Sequence, residues 1–498
     1  MERVRQIERV HDERIGRRRD ESNASAVERR TGADIHAGTG TAALRLAGIL
    51  NAAIFTSLLF LIALTAVPYG TVEPWWKAVF VCFVFVLCIF AIIEYLLVPS
   101  GKLPDRVILT PLLILAGFAL LQSFALSSES NAVLRYRPWN AISADPYQTQ
   151  FFVLQLLAVT LAGALFYRYA SSDRRVGILV NVIIGVAVAS AIFGVVRQTN
   201  QHGLGFGLPL LQPAQGYGQF INPHHFALLM EMAFGLTVGM VLGGGAKREW
   251  NIVYLASVLI IWPALVLANS RGGLLAMLAQ IFAAGLLFTV VVPASLKDGA
   301  RYRMFRGLRS LPVRIALLSV LCVAVIFGTL WVGGDRLAGR LGQISGDVAA
   351  SQDRTGGNRN EIWRATWQMF KAHPIAGVGL GGYWIAIPAY HDASGALTPQ
   401  EAHNEYLELL SSGGIIGAAI GLWFLYVVTR RIQKSMRSAN HFRRAVRYGA
   451  VLGLVGVAVH SLFDFGLHMM VNALVCAALV VIATRKVHSE SKHVRMNA

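Results

Sequence analysis

The feature that most limits how this chain can fold is a series of apolar runs, each about 20 residues long, recurring between residues 44 and 484. Examples are "IFTSLLFLIALTAV", "VFVCFVFVLCIFAII" and "ILVNVIIGVAVASAIFGVV". A helix of this length crosses the ~30 Å hydrocarbon core of a bilayer, whereas a membrane barrel shows short segments of alternating polarity. Charged residues make up only 14% of the chain, against ~25% in soluble domains. The sequence therefore predicts an all-α integral membrane protein.

Twelve spans are predicted, and the charge of their connections orients them. The spans are 44–67, 77–98, 107–126, 149–168, 176–196, 223–243, 251–268, 272–292, 314–333, 404–429, 446–464 and 468–484. One side collects basic segments such as "KDGARYRMFRGLRSLPVR" and "RRIQKSMRSANHFRRAVR", which the positive-inside rule assigns to the cytoplasm. The same rule explains the formal charge of +18 without a nucleic-acid partner. Both termini are therefore expected in the cytoplasm.

The chain divides into three parts by composition. Residues 1–42 are rich in charges of both signs and lack the apolar stretch of a secretory signal, which predicts a disordered or partly helical cytoplasmic tail. Residues 43–484 form the predicted membrane domain, and residues 485–498 form a basic cytoplasmic tail. Nothing in the first tail indicates a function.

One connection on the outer side, residues 334–403, is too long to be a simple link between helices. Its stretch "RNEIWRATWQMFKAHP" has apolar residues at helical spacing, which predicts an amphipathic helix on the outer membrane surface, with Arg359 near the membrane plane. The stretch "GVGLGGYW" then places Gly377, Gly379 and Gly382 in a G-x-G-x-x-G pattern. No strand precedes it, so we interpret these glycines as a tight turn and not as a dinucleotide site.

His403 is the best candidate for a catalytic base, because an imidazole titrates near neutral pH and accepts a proton from a hydroxyl. Taken alone, a histidine at the start of a helix is more often structural. Single polar residues collect at other segment ends on the same side, as in sites that loops assemble on a rigid scaffold. Asn404 is expected either to fix this loop or to bind a substrate hydroxyl.

Arg271, in "NSRGG", lies between two apolar spans. One interpretation is an arginine that reaches the lipid headgroups. The other is an anion site, because an arginine at membrane depth is costly unless it has a partner.

Two further groups are candidate substrate contacts. Asn222, His224 and His225 begin a span, where they either bind a sugar or diphosphate or cap the helix. Adjacent histidines point ~100° apart on a helix and no other ligand has suitable spacing, so no metal is predicted. His460 and Asp464 are four residues apart and are expected on one helix face, either in a polar network or against substrate. No cofactor is predicted.

Several segments together resemble the O-antigen ligase and polymerase family of bacterial envelope enzymes. They run in family order over roughly residues 70–475: "GTVEPWW", "ISADPYQT", "GQFINPHHFA", "NSRGG", "RNEIWRATWQMFKAHPIAGVGLGGY", "AHNEYLELLSSGGIIG" and "HSLFDFGLHMMVNAL". The resemblance implies a GT-C-like fold in the bacterial inner membrane. It also implies inverting, metal-independent glycosyl transfer on the periplasmic face. The donor would be an undecaprenyl-diphosphate-linked glycan and the acceptor a sugar hydroxyl.

By the same resemblance, His403 corresponds to the family's essential histidine and Arg271 to the arginine of its S-R-G turn. The arginine before the amphipathic helix is either Arg359 or Arg354, and Arg359 is preferred because it is closer to that helix. Guanidinium groups bind diphosphate oxygens in pairs, and the chain has no D-x-D metal motif.

The acceptor is left open by the sequence. A ligase would transfer the finished glycan to lipid A-core, and a polymerase would extend an O-antigen or exopolysaccharide chain. A polysaccharide transporter is less favoured, because transporters show inverted repeats and spans broken near the midplane. Attachment of glycan to protein is the remaining alternative.

Overall fold

The structure is a computed structural model. It describes residues 41–67, 69–99, 105–124, 141–200, 216–245, 248–291, 319, 323, 359–391, 399–436 and 440–485. Within these ranges the chain is helical and has no strand, and an isolated bridge joins Tyr217 to Phe220. Both predicted tails lie outside the described residues, apart from positions 41, 42 and 485. The predicted span 314–333, apart from positions 319 and 323, and the following residues 334–358 also lie outside the described residues.

Thirteen α-helices are numbered here in chain order within those ranges. They are α1 (Thr41–Ala66), α2 (Pro74–Leu97), α3 (Arg106–Gln122), α4 (Pro146–Tyr169), α5 (Asp173–Asn200), α6 (Pro223–Leu242), α7 (Arg248–Leu267), α8 (Arg271–Val291), α9 (Arg359–Ala372), α10 (Tyr383–Ala386), α11 (Glu405–Ser435), α12 (His441–His460) and α13 (Met470–Thr484). Two 3₁₀ turns, Ile387–Ala389 and Gly466–His468, follow α10 and α12.

Asparagine and aspartate side chains fix where several of these helices begin. Asp145 accepts a hydrogen bond from the Gln148 amide at the start of α4, and Asn440 accepts one from Arg443 at the start of α12. Each bond satisfies a backbone N–H that has no partner within its helix. The candidate residues Asn222 and Asn404 begin α6 and α11 in the same way.

Helices occupy eleven of the twelve predicted spans in the described part of the chain. Seven of them are both long and apolar enough to cross a membrane: α1, α2, α4, α5, α6, α7 and α11. Helices α3 and α13 are apolar but shorter, and so is the part of α8 whose side chains are described, Arg271–Leu287. These features identify a multi-pass membrane protein. The total of twelve spans stays a prediction.

The chain separates into two compact units. The first comprises the described residues of Met1–Ile54 and Leu87–Gly101, where Asn51 donates to Glu94 Oε1 at 3.2 Å. The second comprises the described residues of Phe55–Val86 and Lys102–Ala498. Every candidate residue with a described position belongs to the second unit.

Helix α6 lies at the centre of the second unit, where 83% of the residues in its 18-residue apolar stretch are buried. It packs on α12 through glycines: a Cβ on Gly239 would collide with the Cα of Gly449, and one on Gly235 would collide with the amide nitrogen of Gly453. Small residues allow helix backbones to approach this closely in membranes. The contact fixes the ends of α6 and α12 relative to each other.

The predicted amphipathic helix is present as α9, and protein covers much of its apolar face; its position at the outer membrane surface stays a prediction. Ile362, Thr366 and Met369 are buried by the chain itself, and Met369 is 0% exposed. Met369 belongs to a buried cluster with residues of the segment 378–387 and with Ala402, and the hydroxyl of Thr366 lies 2.7 Å from that of Tyr383. The apolar stripe was correctly identified, but periodicity alone does not say whether protein or lipid covers it.

The predicted tight turn after α9 is present. Gly377, Gly379 and Gly381 have φ values of 68°, 99° and 98°, which glycine adopts most readily. Gly381 therefore has the left-handed conformation expected of a turn glycine, whereas Gly382 has an ordinary φ of −89°. The turn packs against α11 near Gly414, whose φ of 61° interrupts that helix.

Candidate functional site

His403 and Asp464 form a hydrogen-bonded pair at the start of α11. Asn404 caps this helix by accepting bonds from the amides of Tyr406 (3.1 Å) and Leu407 (3.0 Å), so it fixes the loop that carries His403. His403 Nδ1 lies 3.0 Å from Asp464 Oδ1. If Nδ1–H donates to the carboxylate, the neutral ring has an unprotonated Nε2, the form that a general base requires.

Asp464 is 1% exposed and lies between two histidines. Its second oxygen is 3.5 Å from Nε2 of His225, which in turn lies 3.4 Å from the Asn222 amide nitrogen. Burial raises the pKa of Asp464, but the hydrogen bond from His403 and the nearby imidazoles of His225 and His224 outweigh it. The pKa is therefore below the ordinary value, so the group is a carboxylate at neutral pH.

Phe465 orients the same imidazoles from one side. The ring centroids of His225 and His403 lie 4.8 and 4.9 Å from that of Phe465, both in edge-to-face geometry. The ring of His468 lies 5.7 Å from it. We call His403, Asp464, His225 and Phe465 the His403 group.

The prediction that His460 and Asp464 share a helix face is wrong. Helix α12 ends at His460, and Asp464 lies in the turn that follows, where its amide and that of Phe463 donate to the His460 carbonyl. The apolar composition of "HSLFDFG" hid this end of the helix. The imidazole of His460 instead binds Glu231, with Nδ1 2.7 Å from Oε1.

Glu231 is a residue that the sequence interpretation missed. It is 0% exposed near the middle of α6. The available signal was a single acidic residue in the apolar run "FALLMEMAFGL", because an ionisable residue within a span is functional by default.

A second set of residues meets at the start of α8, and we call it the Arg359 group: His224, Ser270, Arg271 and Arg359. His224 Nε2 lies 3.4 Å from Arg359 Nη2, and His224 Nδ1 lies 2.8 Å from Ser270 Oγ. Ser270 Oγ also accepts the Gly273 amide at 3.1 Å. Asn222 accepts the His224 amide at 2.8 Å, which fixes the first turn of α6.

Arg271 is the first residue of α8, and its side chain is exposed. A helix N-terminus attracts anions through its unpaired amides and its dipole. The Arg359 group therefore places two guanidinium-bearing residues, a helix start and an imidazole in one region. His224 and His225 are consecutive, so the first turn of α6 joins the Arg359 group to the His403 group.

Three carboxylates surround His468 next to the His403 group. His468 Nδ1 lies 3.2 Å from Glu401 Oε1, and its Nε2 lies 3.6 Å from Glu405 and 3.7 Å from Glu408. Burial raises the pKa of Glu401, and the charge of Lys77 lowers it in part. The possible metal-ligand atoms of Glu401, Glu408 and His468 all lie within 4.8 Å of one another. These three residues therefore have the spacing to hold a cation.

The geometry can be set beside known proteins. No curated protein matches the chain in sequence. Residues 255–422, which include α8, Arg271, Arg359 and His403, match the family model described as O-antigen ligase. This segment is therefore similar to an O-antigen ligase domain, and the chain that contains it is a multi-pass membrane protein.

Proposed function

We propose that the protein is a glycosyltransferase of the bacterial inner membrane. It transfers a glycan from an undecaprenyl-diphosphate-linked donor to a sugar hydroxyl, with inversion and without a metal. The observation that carries the proposal is the His403–Asp464 pair, which is joined to the Arg359 group through two consecutive residues of α6. This arrangement pairs a candidate base with cationic groups suited to a diphosphate.

His403 acts as the general base. The acceptor oxygen attacks the anomeric carbon as Nε2 of His403 takes the hydroxyl proton. The bond from that carbon to the diphosphate breaks on the opposite face, and the lipid diphosphate leaves with the electron pair. Asp464 holds the ring through Nδ1 and stabilises the imidazolium that forms.

Arg271 and Arg359 bind the diphosphate, whose negative charge grows as the glycosidic bond breaks. Guanidinium forks match its oxygens in pairs, and groups aimed at developing charge lower the barrier. The start of α8 adds its unpaired amides. His224 orients Arg359, while Asn222, Asn404 and His225 hold the two groups in register.

The acceptor is lipid A-core, as in ligation of a finished O-antigen. The proposed orientation follows the charge of the connections: both tails, 1–42 and 485–498, in the cytoplasm, and the site within 43–484 on the periplasmic face. The long connection 334–403 is then periplasmic, and α9 and Arg359 lie within it.

A deletion strain tests the proposal. Its lipopolysaccharide should run as core without O-antigen on a gel, with lipid-linked polymer accumulating in the membrane. Core that carries a single repeat would instead identify an O-antigen polymerase. Loss of a secreted polymer alone would identify an exopolysaccharide polymerase.

The metal-free mechanism is tested separately in isolated membranes, where glycan transfer should persist in EDTA. If EDTA abolishes transfer and added magnesium or manganese restores it, the metal-free mechanism is overturned.

A further inference from the structure

Glu231 and His460 form a buried polar pair that the proposed reaction does not use. Their side chains are 0% and 1% exposed, and Glu231 Oε1 lies 2.7 Å from His460 Nδ1. Among the described residues, neither Glu231 Oε2 nor His460 Nε2 has a hydrogen-bond partner. Such a pair is weak evidence of a stabilising role, because apolar replacements of buried ion pairs are often as stable or more so.

The pair connects α6, which carries His224 and His225, with α12, which is followed by the turn that carries Asp464. Glu231 follows His224 by seven residues, so both lie on one face of α6, about two turns apart. Helix α8 approaches this point through two residues. Gln280 Nε2 donates to the Glu231 carbonyl at 2.8 Å, and a Cβ on Gly273 would lie 3.1 Å from Glu231 Oε1.

On the other side, α12 ends at His460, and the turn that carries Asp464 begins there. Its carbonyl accepts the amides of Phe463 (2.8 Å) and Asp464 (3.1 Å). The backbone of Ser461 accepts the Glu405 amide at 2.9 Å, which ties this turn to the start of α11. The ring that binds Glu231 is therefore attached to the backbone that begins the Asp464 turn, and this turn is bonded to the start of α11.

We propose that Glu231 and His460 are positioning residues for proton transfer. They hold Asp464 within reach of His403 by fixing the end of α12 against α6, and they do not touch the reacting atoms. This role rests on the function proposed above. If Glu231 acts through His403, a substitution at Glu231 lowers kcat strongly only when His403 is present.

A double-mutant cycle on the full-length protein in membranes tests this dependence. Glu231→Gln keeps the shape of the side chain and removes its charge. It should lower kcat at least about 10-fold with His403 present, but less than about 3-fold in a His403→Ala background, since only residues that act together are non-additive. Equal factors in both backgrounds would show a purely structural effect and overturn the proposal.

Two further variants guard against a folding defect. Thr237→Ala is the matched control, because Thr237 is buried on the same helix and, within the described part of the chain, its hydroxyl bonds its own helix, at the Ala233 carbonyl. Its kcat should stay within about 3-fold of wild type. The pair Glu231→Met with His460→Leu should insert and bind donor normally yet transfer slowly. Normal transfer by that pair would contradict a positioning role.

The failures of the two proposals are distinguishable. If the unmodified protein transfers no glycan from a lipid-diphosphate donor, the proposed function falls, and the positioning role falls with it. If the unmodified protein is active and Glu231→Gln is equally active, only the positioning role is overturned.

Discussion

His403 has a φ of 50°, a left-handed backbone that costs a non-glycine residue about 1 kcal/mol. Strain of this kind is retained where the surrounding structure fixes a functional residue. Here Asn404 caps α11 on one side and Asp464 holds the ring on the other. The left-handed backbone of His403 therefore places its imidazole in the site but lowers the free energy of unfolding.

The first prediction separates these two roles of His403. His403→Ala and His403→Gly should both lower the rate of transfer by about 10²–10⁴-fold, because each removes the base. The glycine variant should unfold at a higher temperature than the alanine variant, because glycine relieves the left-handed strain. Rates are measured at matched expression, with His373→Ala as the histidine control. His373 follows α9, and its Nε2 lies 3.1 Å from the hydroxyl of Tyr390, outside both groups. Near-normal transfer by either variant would refute the base assignment.

The second prediction concerns pH. The pKa of Asp464 is lower in the folded protein than its ordinary value, so the carboxylate stabilises the fold above about pH 4. That contribution is lost as the pH falls towards the lower, folded pKa. Asp464→Asn should therefore unfold at a lower temperature than wild type at pH 6, and the difference should shrink below about pH 4. A difference that does not change with pH would exclude this linkage.

The third prediction concerns the arginines. Arg271→Lys and Arg359→Lys keep the charge but lose the planar fork, so both should weaken retention of the lipid-linked donor. His403→Ala should leave donor retention unchanged. Donor that stays bound to both lysine variants at the wild-type level would remove the diphosphate role from these residues.

At the scale of helices, the glycine contact between α6 and α12 determines whether the site assembles. Gly239→Val should destabilise the protein by about 1–3 kcal/mol or more, since its Cβ would meet the backbone of α12. Transfer should fall as well, because His224 and His225 extend from α6. Gly185→Ala is the matched control, having no atom within 4 Å of the added Cβ. Thermal stability in detergent that is equal for both variants would contradict the close contact.

The sequence predicted the presence of the helices better than it predicted the helix ends near which the site residues lie. Apolar runs and Asn or Pro starts located the first residues of α6 and α11 to within one residue, whereas the end of α11 was placed six residues early. The end of α12 was placed four residues late, because Phe463 and Leu462 continue the apolar run through the turn. Partners distant in sequence, such as Glu231 and His460, leave no periodic signal, and only the packed helices bring them together.

At the scale of the whole molecule, orientation in the membrane is the property that charge predicts. Gln368 and Lys434 are both exposed, on α9 and near the end of α11. In a background without native cysteines, an impermeant thiol reagent should label Gln368→Cys in intact spheroplasts and Lys434→Cys only after lysis. The opposite pattern would place the candidate site on the cytoplasmic side, away from a periplasmic acceptor.

The burial of α6 has a consequence for how the protein is made. Its hydropathy of 1.7 is below that of the early spans α1 and α2, and it contains Glu231. The partner of that carboxyl group, His460, is synthesised 229 residues later. Until α12 is made, the carboxyl group of Glu231 lacks this partner. We therefore expect stable insertion of α6 to depend on α12, so that a chain truncated before α12 is degraded faster than the full-length protein.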